Sequence, residues 1–325
     1  MSSVGIIANP RAGKDIRRLV AHAPVLDTQE KIYTVRRALL GLEGAAVAEV
    51  LLMPDSSEIG ERALGGISGG LDLRASFVDM FVRDDASDSE RAASLMHERG
   101  ARCIIVVGGD GTNRAVAKGC GPTPVVPLST GTNNTFPRAL EPTVAGLAAG
   151  LYAVRGLAWH EFTLPTKRLD LFRNGTLEEV ALVDVAVCDD RFVGARALWE
   201  VERVREIFLT QGTATSVGLA AVGAMVRPVS PRERGGLHLA LGDGGMRVRA
   251  AVAPGLIRWV AVRSHGPMAE GVPIPVSLER CVLALDGERE LAVGAREAWT
   301  VTLGWEGPRL LDVEKVLDAT RAVPD

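Results

Sequence analysis

Residues Val106–Ala115 read VVGGDGTNRA, and they place three glycines, one carboxylate and one hydroxyl at the end of an apolar run that begins at Cys103. Glycine reaches positive φ cheaply and has no Cβ, so a backbone built from it can close on a ligand. Successive free N–H groups followed by a helix N-terminus form a cradle for phosphate oxygens. Each N–H given to a charged phosphate contributes about 1.5–3 kcal/mol. Asp110 is the odd member. A carboxylate among phosphate-binding amides is repelled unless it meets a cation or takes a proton, which makes it a candidate Mg2+ partner or general base. The plain alternative is a tight turn whose acid caps the next helix.

Two further segments end apolar runs in small polar residues. Asn9-Pro10-Arg11-Ala12-Gly13-Lys14 follows the first run, and Ser129-Thr130-Gly131-Thr132-Asn133-Asn134 follows a later one. They offer amides, hydroxyls and two cations, Arg11 and Lys14. If the strands are parallel neighbours, all three loops meet beyond the carboxyl ends of one sheet, where ligands gather. Other phosphate loops fail here. A P-loop reading of residues 8–15 meets Ala8 where the first glycine belongs and Asp15 where the hydroxyl belongs, and no G-x-G-x-x-G follows the first run. Gly66–Gly70 matches a nucleophile elbow in letters only, because no strand feeds it.

The elements that must carry these loops alternate. VGIIANP, VAEVLLMP, RCIIVVGGDG and TPVVPLSTGTNN read as strands. Between and after them, DTQEKIYTVRRALLGL (with Asp27 or Thr28 as N-cap), SDSERAASLMHERG, TNRAVAKGC and EPTVAGLAAGLYAVRG read as helices. Such alternation predicts a Rossmann-like parallel α/β sheet with helices on both faces. From about residue 161 the pattern changes to short alternating runs with glycine-rich turns, and Asn174-Gly175 is a hairpin signal. The second half is expected to be antiparallel β, with one helix at VGARALWEVERVREIFL and a closing helix at LDVEKVLDATRA. The expected division is residues 1–160, joined by the tail 308–325, and residues 161–307.

Composition excludes several classes. Of 325 residues, 47% are hydrophobic and 24% charged, with a formal net charge of −3. That is a globular balance without the basic footprint of nucleic-acid binding. No apolar run approaches the ~20 residues of a membrane helix, and the N-terminus lacks the pattern of a signal peptide, so a cytoplasmic protein is expected. Cys103, Cys120, Cys188 and Cys281 are too far apart in sequence for a metal knuckle or redox pair. His22, His97, His160, His238 and His265 show no ligand pairing, so no protein metal cluster is expected. Trp159, Trp199, Trp259, Trp299 and Trp305 read as core or interface, Asp189-Asp190 as a turn, and Asp170 as an exposed strand residue.

Taken in order, NPRAGK, GGDGT and STGTNN resemble the superfamily of NAD kinases and diacylglycerol-type lipid kinases. GIIANPRAGKDIRRLV, GGDGTNRAVAK, STGTNNTFP and TVAGLAAGL look most like its acetoin-catabolism protein X branch. The resemblance is close over residues 4–155 and loose beyond. It implies a C-terminal β-sandwich domain, an active site between the two domains, ATP and Mg2+ as cofactors, and NAD or a related soluble molecule as acceptor. Asn9, Arg11, Gly13, Gly108, Gly109, Gly111, Thr112, Thr130, Gly131, Thr132, Asn133 and Asn134 would bind nucleotide. Asp110 and Lys14 would be catalytic, with Asp110 activating the acceptor or linking to metal.

On the acceptor side, Asp184 fits the acidic member of the Asn-Glu/Asp pair of NAD kinases, with Val183 in place of the Asn. Thr213, Thr215 and Ser216 fall in a segment similar to T-G-S-T-A-Y, with Val217 where the Tyr would be. Asp286 and Glu288 resemble the D-G-E of the lipid kinases. Val183 lacks a hydrogen-bonding group and Val217 a planar surface, each a loss of about 1–2 kcal/mol of recognition. Three readings stay open: a kinase of a soluble acceptor, a lipid kinase, and a non-catalytic nucleotide sensor. A homo-oligomer through the β-rich half is implied by the family only.

Overall fold

The computed structural model describes residues 2–12, 27–130, 134–190, 193 and 201–321. The N-terminal half runs β1 (Ser3–Ala8), α1 (Thr28–Gly44), β2 (Glu49–Leu52), α2 (Ile59–Gly65), β3 (Arg74–Phe77), α3 (Ala86–Glu98), β4 (Cys103–Gly108), α4 (Asp110–Gly119), β5 (Val125–Ser129), α5 (Pro142–Val154), α6 (Trp159–Phe162) and β6 (Thr163–Leu164). β1 to β5 are parallel, in the spatial order β3-β2-β1-β4-β5. Strands β1 and β4 are buried at every residue, as expected of a sheet covered on both faces. One face packs on α1 and α5 through Ile32, Val35, Leu39, Leu42, Ala145 and Ala149. The other packs on α3 and α4 through Ala92, Ala93, Met96 and Val116.

Local chemistry sets the helix starts. Asp27 caps α1, its carboxylate accepting from Glu30 N at 2.9 Å, and Glu141 caps α5 the same way. Helices α1 and α5 cross closely: a Cβ on Gly146 would stand 2.2 Å from Ala38 O, and one on Gly41 2.2 Å from Thr143 O. The sequence reading missed α2 and the edge strand β3, because RASF is too short and too polar to register as a strand.

The C-terminal half contains β7 (Arg168–Arg173), β8 (Thr176–Ala181), β9 (Asp184–Cys188), β10 (Val204–Leu209), α7 (Leu219–Val226), β11 (Gly236–Ala253), β12 (Leu256–Met268), β13 (Ile274–Pro275), β14 (Cys281–Leu285), β15 (Glu288–Val293) and β16 (Trp299–Gly304). They form two antiparallel sheets, β12-β11-β10-β9-β14-β15 and β13-β16-β7-β8. Leu169, Leu171 and Val301 of one sheet pack on Val185, Phe208 and Leu283 of the other, which makes a β-sandwich. Asn174 and Gly175 both have positive φ, 51° and 84°, in the β7–β8 turn, as a two-residue hairpin of matched twist requires.

The chain then returns to the first sheet. β17 (Leu310–Leu311) pairs in parallel with β5 and antiparallel with β6. Helix α8 (Val313–Ala319), capped by Asp312, buries Val316 against the core that holds α5.

The helix expected over residues 193–209 is corrected at 201–209; residues 194–200 lie outside the described residues. Residues 201–203 form a 3-10 turn and 204–209 the central strand β10. Val204, Ile207, Phe208 and Leu209 are all buried between neighbours on both sides, and that packing outweighs helical spacing. Trp299 is buried in the core, whereas Trp259 is 60% exposed on β12 and so is no core residue. Asp170 is half-buried and paired with Arg168 at 2.6 Å, and Asp189 and Asp190 pair with Arg205 and Arg203. All four cysteines are buried; burial pushes the thiols of Cys103, Cys120 and Cys281 up to about 12, which leaves them unreactive near neutral pH.

Candidate nucleotide site at the sheet switch point

Strand order reverses between β1 and β4, because β1 leads outward to β2 while β4 leads to β5. In open parallel sheets that reversal leaves a crevice beyond the strand ends. The loop after β1 starts at Asn9 and the loop after β4 is Gly109, so both open into it. Asn9 Nδ2 donates to Thr112 Oγ1 at 3.0 Å across the gap. The same residue's Oδ1 accepts from Arg11 N at 2.9 Å, which shapes the loop after β1. Lys31, fully buried in α1, donates from Nζ to Pro10 O at 2.8 Å and supports that loop from below.

The loop after β5 joins the other two. Thr130 N donates to Gly108 O at 3.3 Å. Asn134 Nδ2 donates to Ser129 Oγ at 3.0 Å, and its Oδ1 would lie 2.9 Å from a Cβ placed on Gly109. The glycines therefore have separate reasons. A Cβ on Gly108 would lie 2.5 Å from Thr112 Cβ, so Gly108 and Gly109 let the loop pack on itself. At Gly111 a Cβ would meet nothing within 4 Å among the described residues. The first turn of α4 is open at that one residue, with Asp110, Thr112 and Asn113 buried around it, and first-turn amides have no acceptor within their helix. Such a turn receives anions. Thr130 Oγ1 is buried with no hydrogen-bond partner among the described residues.

Asp110 resolves its own conflict with those amides. Only 8% exposed, its carboxylate accepts from Phe136 N at 2.8 Å and from Thr135 N at 3.0 and 3.1 Å. It buckles the start of α4 to the loop after β5 instead of capping its own helix. Gly13, Lys14, Gly131, Thr132 and Asn133 lie outside the described residues. Arg11 is exposed and donates to Asp84 O at 2.6 Å.

The acceptor-side residues divide. Thr213, Thr215 and Ser216 form an exposed hydroxyl turn before α7: Ser216 Oγ accepts from Thr213 N at 3.0 Å, and the two threonine hydroxyls are 3.2 Å apart. Glu288 opens β15 and is half-buried. Asp184 is buried at the start of β9. Asp286 departs from the expected acceptor-facing role. Its side chain has no exposed surface, and its Oδ1 accepts from Leu182 N at 3.0 Å, Val183 N at 2.8 Å and Asp184 N at 3.3 Å. Burial pushes this carboxyl above its usual range, opposed by Arg114 and those amides. Arg114, from α4, places Nε 3.7 Å from Asp286 and also pairs with Glu290. The pair ties the helix behind the glycine loop to the sandwich. Val183 is buried in the core.

No group of three or more His, Cys, Asp or Glu able to hold a metal exists among the described residues.

Residues 4–155 match the ATP-NAD kinase N-terminal domain, and residues 167–306 match the acetoin catabolism protein X C-terminal domain. An acetoin catabolism protein X from Cupriavidus necator is 39% identical over 323 residues, spanning 95% of this chain and 90% of that protein. The chain belongs to the acetoin catabolism protein X family. Within the family's C-terminal region lie the buried Asp286 and the Thr213–Ser216 turn. A crystal structure of yeast NADH kinase complexed with NADH shares the fold, with a TM-score of 0.50 at 13% identity over 100% of this chain and 89% of that one. A putative diacylglycerol kinase from Bacillus anthracis str. Sterne aligns with a TM-score of 0.46 at 13% identity, over 95% of this chain and 97% of that one. The chain has an NAD kinase-like fold.

The sequence reading missed Arg114 and Lys31 as organisers of the site. Their signal was available only as two charges at otherwise apolar helix positions.

Proposed function

We propose that the protein is a phosphotransferase that moves the γ-phosphoryl group of Mg-ATP to a hydroxyl of NAD or a related soluble acceptor. The observation that carries this reading is the meeting of three loops at the switch point, with Asn9 bonded to Thr112 and Gly111, the open residue of the first turn of α4, between them. The amides of residues 110–112 would hold phosphate oxygens, and Asn9, Thr112 and Asn134 would orient the polyphosphate. Mg2+ would be held mainly by those phosphates, with Asp110 as the nearest carboxylate of the loop; the ion would supply charge neutralisation. Asp110 would accept or orient the proton of the attacking hydroxyl. Little covalent work is asked of the protein, since phosphoryl transfer rests on positioning and electrostatics.

The test is incubation with Mg-ATP and either NAD or NADH, followed by mass spectrometry for a phosphorylated acceptor. Product is expected with the natural chain and none with Asp110→Asn, which leaves an amide that cannot take the proton. Turnover preserved in Asp110→Asn would remove that residue from the chemistry. A sensor is favoured instead if ATP raises the melting temperature and no acceptor gains mass; the buried Val183, which offers no hydrogen bond, motivates that second reading.

A further inference from the structure

A cavity of about 70 Å³ lies where the loop after β5 meets the sandwich, lined in part by Thr135 and Phe136, whose amides hold Asp110. It has room for about five waters, judged by the volume one water needs. Phe136, Leu182 and Leu310 give it apolar wall, and its polar side chains are Lys167, Gln211, Thr135, Thr166 and Thr210, with the exposed Arg138 and Arg232. Lys167 is 3% exposed. Its Nζ donates to Ser230 O at 3.0 Å and to Gly235 O at 2.9 Å. An ammonium has three N–H donors, so one remains. No carboxylate pairs with Lys167 among the described residues: Glu233, the acid that influences it, is engaged by Arg227 at 3.0 Å and by Ser230 N at 3.2 Å. Gln211 is 8% exposed and lines the same cavity.

A buried cation without a counter-charge is costly. An anion bound in the cavity would supply that charge, and the Gln211 amide could donate to it as well. The two interior donors suit the two oxygens of a carboxylate, the apolar wall suits a short carbon chain, and the exposed guanidinium groups add attraction from outside. We propose that this cavity binds a small organic carboxylate through Lys167 Nζ and Gln211. The inference does not depend on the phosphotransfer reading, because butyrate binding is read by itself, although the cavity shares Thr135 and Phe136 with the surroundings of Asp110.

Burial lowers Lys167 to about 8. Glu233 favours its protonation, and Arg138 and Arg232 are the other charged residues that line the cavity. At pH 7 the ammonium is mostly protonated, and it is lost as pH rises through about 8, so carboxylate affinity must fall from pH 7 to pH 9.

Isothermal titration of the full chain with sodium butyrate tests this, with 1-butanol and inorganic phosphate as comparison ligands. Saturable butyrate binding at pH 7 is expected, weakening toward pH 9. Lys167→Met and Gln211→Leu should each lower affinity by about tenfold or more, the loss of roughly one charged or buried hydrogen bond. Circular dichroism reports which variants fold, and Lys167→Arg keeps the charge should Lys167→Met fail. In Lys167→Arg any remaining binding should lose its dependence on pH between 7 and 9. The proposal is overturned if butyrate shows no saturable binding, if butanol binds equally well, if phosphate binds in its place, or if every folded variant keeps the natural affinity.

Discussion

Asp110 gives its oxygens to the amides of Thr135 and Phe136, and Asp286 gives its own to the amides of residues 182–184. Both acids sit in short loops of the same kind, D-G followed by a polar residue. Sequence could not tell them apart. The structure separates them by surroundings: Asp110 stands beside the open Gly111, whereas Asp286 is sealed with Arg114 inside the molecule. Removing one partner of a buried ion pair costs about 3–5 kcal/mol, because the other charge is left uncompensated. Asp286→Ala should therefore lower stability by about that amount in urea unfolding, tempered by the Glu290 that also meets Arg114. A loss below about 1 kcal/mol would show that solvent reaches this pair. The Asp110 prediction is of a different kind: Asp110→Asn is expected to end transfer and also to weaken the buckle by about 1–3 kcal/mol, since one amide nitrogen would then face backbone N–H groups.

At the scale of elements, the parallel strands and their long helices were legible because each carries a strong local signal. CIIVVG is an unbroken buried run, and Asp27, Glu141 and Asp312 announce their helices as caps. The central strand β10 was not legible, because its helical spacing is overridden only by neighbours far away in sequence, β9 and β11. The convergence of loops was partly legible. Residue types at the strand ends pointed to a phosphate cradle, but the bond from Asn9 to Thr112 depends on strand order, which sequence does not display. The crossing of α1 and α5 was hidden as well, since it is written in glycines that seem poor choices for helices. Gly146→Ala would place a methyl 2.2 Å from Ala38 O. Overpacking of that sort costs about 1–3 kcal/mol, so a lowered urea midpoint with nucleotide affinity retained is expected. A neutral or stabilising effect would mean that the helices separate freely.

The whole molecule is organised around two connections between its halves. One is α4, which begins at the nucleotide loop and ends against the sandwich, with Arg114 on Asp286 and Glu290 and with Lys118 on Glu179 at 3.1 Å. The other is the returning chain, in which Leu310 and Leu311 pair with β5 and β6. We propose that residues 308–321 fold as part of the N-terminal domain. Leu311 and Val316 are buried in the same core as α1 and α5. Leu311→Ala should cost about 2–5 kcal/mol, as for other buried leucines, and hydrogen exchange should show lost protection in β5 and α5 before β14. Loss of protection in the sandwich first would place this segment with the other domain. Among the described residues no helix is long and apolar enough to cross a membrane.

The central claim is that the amides opening α4 grip a polyphosphate while Asp110 stands beside the group to be transferred. A crystal structure with Mg-ADP bound tests it most directly. Phosphate oxygens within hydrogen-bond reach of the N–H groups of residues 110–112, and near Asn9 and Thr112, are the expected result. Phosphates bound elsewhere, with the first turn of α4 left to solvent, would contradict the account.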